Sequence, residues 1–419
     1  MRTLVMTAAA IAAPLASGLS QQPLAAVGSG LIPVGAHLTI ASQAVDTAAL
    51  AALMDALLND EDAEVRRAAA RALGELQDAR AVPALGQALQ RDSEQRVRLT
   101  AAWALGEIES PRAVEYLTPA LGDDDVQLRR RVVWALGEIE DSRAVESLGQ
   151  ALNDPDAQVR RAAIHALGQI ESANAVDPLL EALRDSDPQI RETAAWALGE
   201  IDNARAVAGL VEVLDDSDTD VRLMVVWALG EIESRSAVAG LATALKDEAA
   251  TVRRKAAWAL GEIEHSSAVE PLVEALRDEN AAVREMAAWA LGEIEHPRAA
   301  DALAAALNDI DVRVRRNAMW ALGEIHLRSA PPALIEALAD QDLAVRRAAA
   351  QAVGEIADPA AVPRLAALLD DDDSQIRRIA VNALSEIHDP GAYEVLVAAL
   401  KDEDPLVRRA AARALGRRY

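Results

Sequence analysis

The sequence predicts an all-α solenoid of about twelve stacked two-helix units, and three observations lead there. A tetrapeptide recurs at a near-constant period, each period holds two apolar stripes at helical spacing, and the composition suits thin helical layers. The 419 residues are 51% hydrophobic but only 2% aromatic, and Phe is absent. Ala, Leu, Val and Ile must therefore supply the core. Small side chains suit closely packed helices better than one thick globule.

The period is set by the glycine of Ala-Leu-Gly-Glu. Gly74 and Gly106 are 32 residues apart, with one insertion near Gln90 and Arg91. From there the interval is 31, through Gly137, Gly168, Gly199, Gly230, Gly261, Gly292, Gly323 and Gly354, to Ser385 and Gly416. Twelve units run from about Asp46 to Tyr419 without an internal break. In the fourth unit Val145, Leu148, Ala151 and Leu152 form the stripe of a first helix. Val159, Ala163, Leu167 and Ile170 form that of a second. Neither helix can bury its stripe alone, so stacking has to close the core. The turns carry helix starts: Asp187-Pro188 and Asp404-Pro405 open second helices, and Ser110-Pro111, Asp358-Pro359 and Asp389-Pro390 open first helices.

An Arg recurs near the start of every second helix, from Arg66 and Arg98 to Arg377 and Arg408, with an Asp six residues before it, from Asp60 to Asp402. The Asp-x-Asp-x-x-Val-Arg turn and the Ala-Ala-x-Ala-Leu-Gly-x-Ile helix resemble HEAT repeats, specifically the short bacterial kind also called phycobilisome-lyase-type repeats. That resemblance implies a right-handed superhelix, second helices lining the concave side, and a ladder of turn Asp to helix Arg between repeats. The recurring Arg are accordingly structural rather than ligand-binding.

A helical wheel puts Val97, Ala101, Leu105 and Ile108 on the core side, Arg98 at its edge, and small residues such as Gly106 on the flanks facing neighbouring helices. Trp103 points away from the core. All seven tryptophans hold this position: Trp103, Trp134, Trp196, Trp227, Trp258, Trp289 and Trp320, with His165 in the fourth unit. One turn later stands a Glu row, comprising Glu107, Glu138, Glu200, Glu231, Glu262, Glu293 and Glu324 beside the tryptophans. Indoles beside carboxylates suit Lys or Arg side chains and quaternary amines. The expected site is thus a Trp- and Glu-lined groove for a protein or peptide, preferably cationic. The bland alternative makes the indoles structural, leaning on neighbouring helices. In that reading Arg130, Arg254 and Arg316, one turn before a Trp, stack on the ring and pair with the Glu.

The net charge is −25, which excludes the basic footprint of a nucleic-acid binder. Without Cys there is no disulfide or thiolate chemistry. His265 and His296 fall in turns one repeat apart, too far for shared ligation, and read as helix-start residues. No catalytic triad, phosphate loop or His-Glu pair occurs, so the expectation is a non-enzyme with no cofactor or metal. No Asp, Glu, Lys or Arg lies between Arg2 and Asp46. Residues 1–45 read as a signal-like apolar segment and 46–419 as the solenoid, with no stable membrane span in the mature chain. The expected protein is an extracytoplasmic (periplasmic or secreted) binding scaffold, with a cytoplasmic location as the alternative. Its Arg-rich last helix caps the array and favours a monomer. A sensory ectodomain of a membrane-associated system and a bilin lyase-like subunit are the competing roles.

Overall fold

The computed structural model describes residues 35–325, 327 and 329–417, with side chains from residue 47 onward. The signal-like reading of the N-terminal segment falls on residues outside this range up to position 34. The chain divides into two compact units, Met1–Ala51 and Ala52–Tyr419. The first is described only through the helix Gly35–Asn59, which begins well before the expected boundary at Asp46. No helix among the described residues is long and apolar enough to cross a membrane.

The second unit is the predicted α-solenoid, and its described residues contain no strand. Numbering the repeats 1 to 12 by their Ala-Leu-Gly glycine or its equivalent, repeat 8 shows the pattern. His265 starts the first helix, its Nδ1 accepting from the Ser267 amide at 3.2 Å. A 3-10 turn, Ser266–Ala268, then leads into the α-helix Val269–Ala275. Asn280 caps the second helix, Ala281–Glu293, through the Ala282 amide. The 3-10 turn narrows the start of the first helix, so its buried portion is short and alanines crowd the stack. His296 does in repeat 9 what His265 does in repeat 8. The insertion near Gln90 is absorbed by lengthening a first helix to Val82–Arg91.

The second helices of repeats 1 to 8 and 10 leave through a left-handed residue whose amide bonds the glycine carbonyl three residues back, as Glu233 does to Gly230 and Glu264 to Gly261. Glycine normally holds such a position. Here nine described non-glycine residues do, with φ of 45–56°, and seven of them are acidic: Glu109, Glu140, Glu171, Asp202, Glu233, Glu264 and Glu295.

The Arg–Asp ladder is present. In repeat 6, Arg222 Nε and Nη2 grip both oxygens of Asp247 in the next repeat at 2.7 and 3.0 Å, and Nη1 donates to the Asp216 carbonyl at 2.8 Å. The same rung recurs from Arg66–Asp92 to Arg377–Asp402, loosening to 3.9 Å at Arg98–Asp123. Bidentate geometry and burial make most rungs register pins between repeats; Arg98 and Arg346 form only looser ion pairs to Asp123 and Asp371. A partial second ladder runs beside it: Arg130–Asp156, Arg316–Asp342 and Arg347–Asp373.

Regularity fails between repeats 9 and 10. Pro331-Pro332 removes the usual 3-10 entry, the helix starts at Pro332, and the Ala330 amide is held by Asp358 Oδ2 at 2.9 Å.

Candidate functional site

The second helices of successive repeats pack directly on one another, and their glycines make this possible. A β-carbon on Gly106 would stand 3.0 Å from the Ala135 Cα of the next repeat; on Gly261 it would stand 3.1 Å from the Ala290 Cα. The neighbouring backbones leave no room for a side chain at these positions.

That approach also decides where the tryptophans go. Each indole reaches back over the glycine of the preceding repeat: Trp103 over Gly74, Trp134 over Gly106, Trp196 over Gly168, Trp227 over Gly199, Trp258 over Gly230, Trp289 over Gly261 and Trp320 over Gly292. In the first six pairs Cζ3 lies 2.6–3.0 Å from the position a glycine β-carbon would take. One edge of every ring is therefore packed, while part of each ring reaches solvent. The first six rings are half-buried and Trp320 is 37% exposed. In repeat 4, His165 replaces the indole and its ring lies 4.8 Å from that of Trp196. Burial, and then Arg161, lower the His165 pKa.

The basic residues do not fall as expected. Arg130 and Arg316 neither stack on the indoles nor pair with the Glu row; they reach forward to Asp156 and Asp342 in the next repeat. The cations over the rings come from one position later. The Arg131 guanidinium carbon lies 5.3 Å from the Trp134 centroid, and Lys255 Nζ lies 3.5 Å from that of Trp258. A helical side chain leans toward the N-terminus, so an indole covers the residue three before it, on its own face. Burial lowers the Lys255 pKa, Glu231 raises it again, Arg254 lowers it and Glu262 raises it. The ammonium thus lies over an indole and in the field of two carboxylates.

The Glu row follows the tryptophans, and every member from Glu107 to Glu324 reaches solvent. It does not stand alone. Burial raises the Glu262 pKa, and the charges of Glu233 and Glu293 raise it further. Burial does the same for Glu293, helped by Glu264 and Glu324. Glu233 is raised by burial and then by Asp202, Glu231 and Glu264. The acidic left-handed residues thus form a second carboxylate row beside the first. Sequence reading passed over this row, although its signal is an acid three residues after seven successive glycines.

Recesses open on this face between repeats. One of about 650 Å³ is lined by Arg67, Arg71, Leu99, Thr100, Trp103 and Arg131, among others. Another of about 620 Å³ includes His165, Glu192, Trp196 and Met224. Among the described residues no group of three or more His, Asp or Glu is placed to hold a metal ion. The chemistry the face offers is recognition of cations by π-faces and carboxylates.

A family model described as HEAT repeats matches residues 50–132, 117–190, 176–252, 238–313, 301–385 and 365–419. No curated protein matches the chain. Among solved structures, importin beta is 17% identical, with a TM-score of 0.58 over 84% of this chain and 61% of that one. A Kap121p mutant is 14% identical, with a TM-score of 0.56 over 90% of this chain and 50% of that one. The CpcE and CpcF complex of phycocyanin lyase from Nostoc sp. PCC7120 is 26% identical, with a TM-score of 0.33 over 53% of this chain and 91% of that one. The importin beta and Kap121p likenesses show the α-solenoid fold, and the chain spans about half to three fifths of those two proteins.

Proposed function

The chain belongs to the HEAT-repeat family, and we propose that it is a non-catalytic scaffold that binds a cationic protein segment along the Trp- and Glu-lined face of its second helices. The observation that carries this reading is Lys255. Its ammonium, 3.5 Å from the Trp258 centroid and in the field of Glu231 and Glu262, is an internal example of the contact a partner's lysine would make. The same indole and carboxylate positions recur at Trp227 and Trp289, where Met224 and Met286 stand in place of the lysine. Among the described residues no cation of this chain lies over either of those rings. Two crowded carboxylate rows, in which Glu233, Glu262 and Glu293 are raised first by burial and then by neighbouring carboxylates, gain from a cation that relieves the repulsion. The uncharged apolar stretch after Arg2 supports an extracytoplasmic setting for this scaffold.

The test uses a labelled oligolysine peptide and two variants of equal net charge. Glu231→Gln/Glu262→Gln/Glu293→Gln removes carboxylates from the face; Glu212→Gln/Glu270→Gln/Glu274→Gln removes the same number from first helices. Loss of at least about tenfold in affinity is expected for the former, since charge-assisted contacts are removed, with little change for the latter. Equal loss in both would mean only diffuse attraction to an acidic protein, and the proposal would fall. Lys255→Met should strengthen binding by freeing the Trp258 face. Tryptophan truncation is a poorer test, because it also removes packing on the preceding glycine.

A further inference from the structure

The face that is aromatic and acidic through the middle of the array reverses its charge at the C-terminal end. In repeat 7 the outward positions of the second helix read Arg254, Lys255, Trp258 and Glu262; in repeat 12 they read Arg409, Ala410, Arg413 and Arg417. Arg409 and Arg413 lie on the last helix, Pro405–Gly416, and Arg417 is its C-cap. The three are spaced i, i+4 and i+8, so like charges are stacked along one side of a helix. Arg378, from the second helix of repeat 11 (Ser374–Glu386), joins them at a recess of about 340 Å³. Asn382 and Ser385, which replace the Trp and Gly of other repeats, complete its polar lining, and among the described residues no carboxylate contributes.

Many arginines elsewhere in this chain find acids, although Arg112, Arg254 and Arg298 form no ion pair with another described residue. The ladder arginines of repeats 1 to 11 each pair with the next repeat's Asp, and exposed ones such as Arg143, Arg205 and Arg313 pair with local carboxylates. Arg378, Arg409, Arg413 and Arg417 form no ion pair with another described residue. The helix macrodipole accounts for cations at Arg413 and Arg417 near the C-terminus, but not for Arg409 a full turn earlier or for Arg378 on another helix. Four guanidinium forks around one recess make a local positive region in a chain of net charge −25.

We propose that this recess binds a carboxylate-rich segment of a partner protein. An extended acidic segment suits the spaced row of Arg409, Arg413 and Arg417 better than a single compact oxyanion, because successive carboxylates can meet successive forks. The recess occupies the equivalent positions of repeats 11 and 12 but contains none of the Trp or Glu residues of the proposed cation-binding face, so it stands or falls separately.

The experiment titrates the full chain into a labelled octaglutamate peptide at low ionic strength, with inorganic phosphate as competitor. Saturable one-to-one binding is expected despite the like net charges, falling as salt rises. Arg409→Gln/Arg413→Gln and, separately, Arg378→Gln should each weaken it, the pair by at least about tenfold, with helicity unchanged. Glu231→Gln/Glu262→Gln/Glu293→Gln should leave it intact. No saturable binding, or binding indifferent to these arginines, would show the row to be a solubilising end cap and overturn the proposal. So would phosphate binding as tightly as the peptide, which would make the site one for a compact oxyanion. Self-association of the chain lost in Arg409→Gln/Arg413→Gln, without peptide binding, would assign the recess to a second copy and equally overturn it.

Discussion

Trp258 rests on Gly230. Its Cζ3 lies 2.6 Å from the place a β-carbon on that glycine would occupy, so the ring of one repeat is seated by the missing side chain of the repeat before. The pairing recurs wherever a tryptophan follows, and it gives the Ala-Leu-Gly motif a purpose beyond helix proximity.

Replacing this glycine should therefore destabilise the fold, although Ala is ordinarily the better helix residue by about 1 kcal/mol. Gly230→Ala must displace both the Trp258 ring and Ala259, and overpacking of this kind costs about 1–3 kcal/mol. Gly323→Ala is the counterpart of opposite sign. Nothing lies within 4 Å of its β-carbon position, at the junction with repeat 10. It should gain about 0.5–1 kcal/mol. Urea midpoints of the two variants should move in opposite directions; parallel shifts would show that the glycine–indole seat has no energetic weight.

The ladder predicts a different asymmetry. Arg222 is 5% exposed and holds Asp247 by two hydrogen bonds. Arg222→Ala leaves that carboxylate without its partner, and breaking such a buried pair costs about 3–5 kcal/mol. Removing both charges with apolar residues, as in Arg222→Met/Asp247→Leu, should restore most of the loss. Arg408→Ala should cost much less, because at the end of the array Arg408 bonds only the backbone carbonyls of Asp402 and Glu403. Thermal unfolding of the four proteins orders these effects, and a large loss in Arg408→Ala would contradict the inter-repeat account.

Acid should abolish cation binding before it unfolds the chain. Asp311 and Asp342 are held at about 2, chiefly by hydrogen bonds from Arg313 and Arg316 respectively. A carboxylate depressed in the folded state stabilises it above the unfolded value of about 3.9. That contribution is lost as pH falls from there through about 2. Asp216, lowered chiefly by its hydrogen bond from Arg191, acts in the same direction. Glu233, Glu262 and Glu293 are shifted upward, first by burial and then by neighbouring carboxylates. Their ionised forms oppose folding, and they take up protons above the usual glutamate value. Oligolysine binding should accordingly decline at a pH where circular dichroism still shows full helicity. Coincident transitions would separate the raised glutamates from the binding face.

The period of the array, the two helices of each unit, the capping Asp and Pro residues and the recurrence of the ladder Asp and Arg were all legible in the sequence, while their pairing between repeats was implied by the resemblance to HEAT repeats. Each depends on spacing along the chain, and a repeated unit places equivalent residues at equivalent points. The wheel also predicted that the tryptophans share one face with the Glu row. It did not show that each ring reaches back over Gly74, Gly230 or their equivalents, nor that Lys255 rather than Arg254 lies over Trp258. Those outcomes depend on the offset between neighbouring helices and on the lean of long side chains toward the helix N-terminus. The second carboxylate row at Glu233 and Glu264 was visible as a repeated acid, but its position beside the first depends on a left-handed turn that no periodicity encodes. The convergence of Arg378 with Arg409, Arg413 and Arg417 likewise belongs to the stacking of two repeats. Chain spacing sets the phase of a side chain within its own helix; only the packed array sets what it meets on the next.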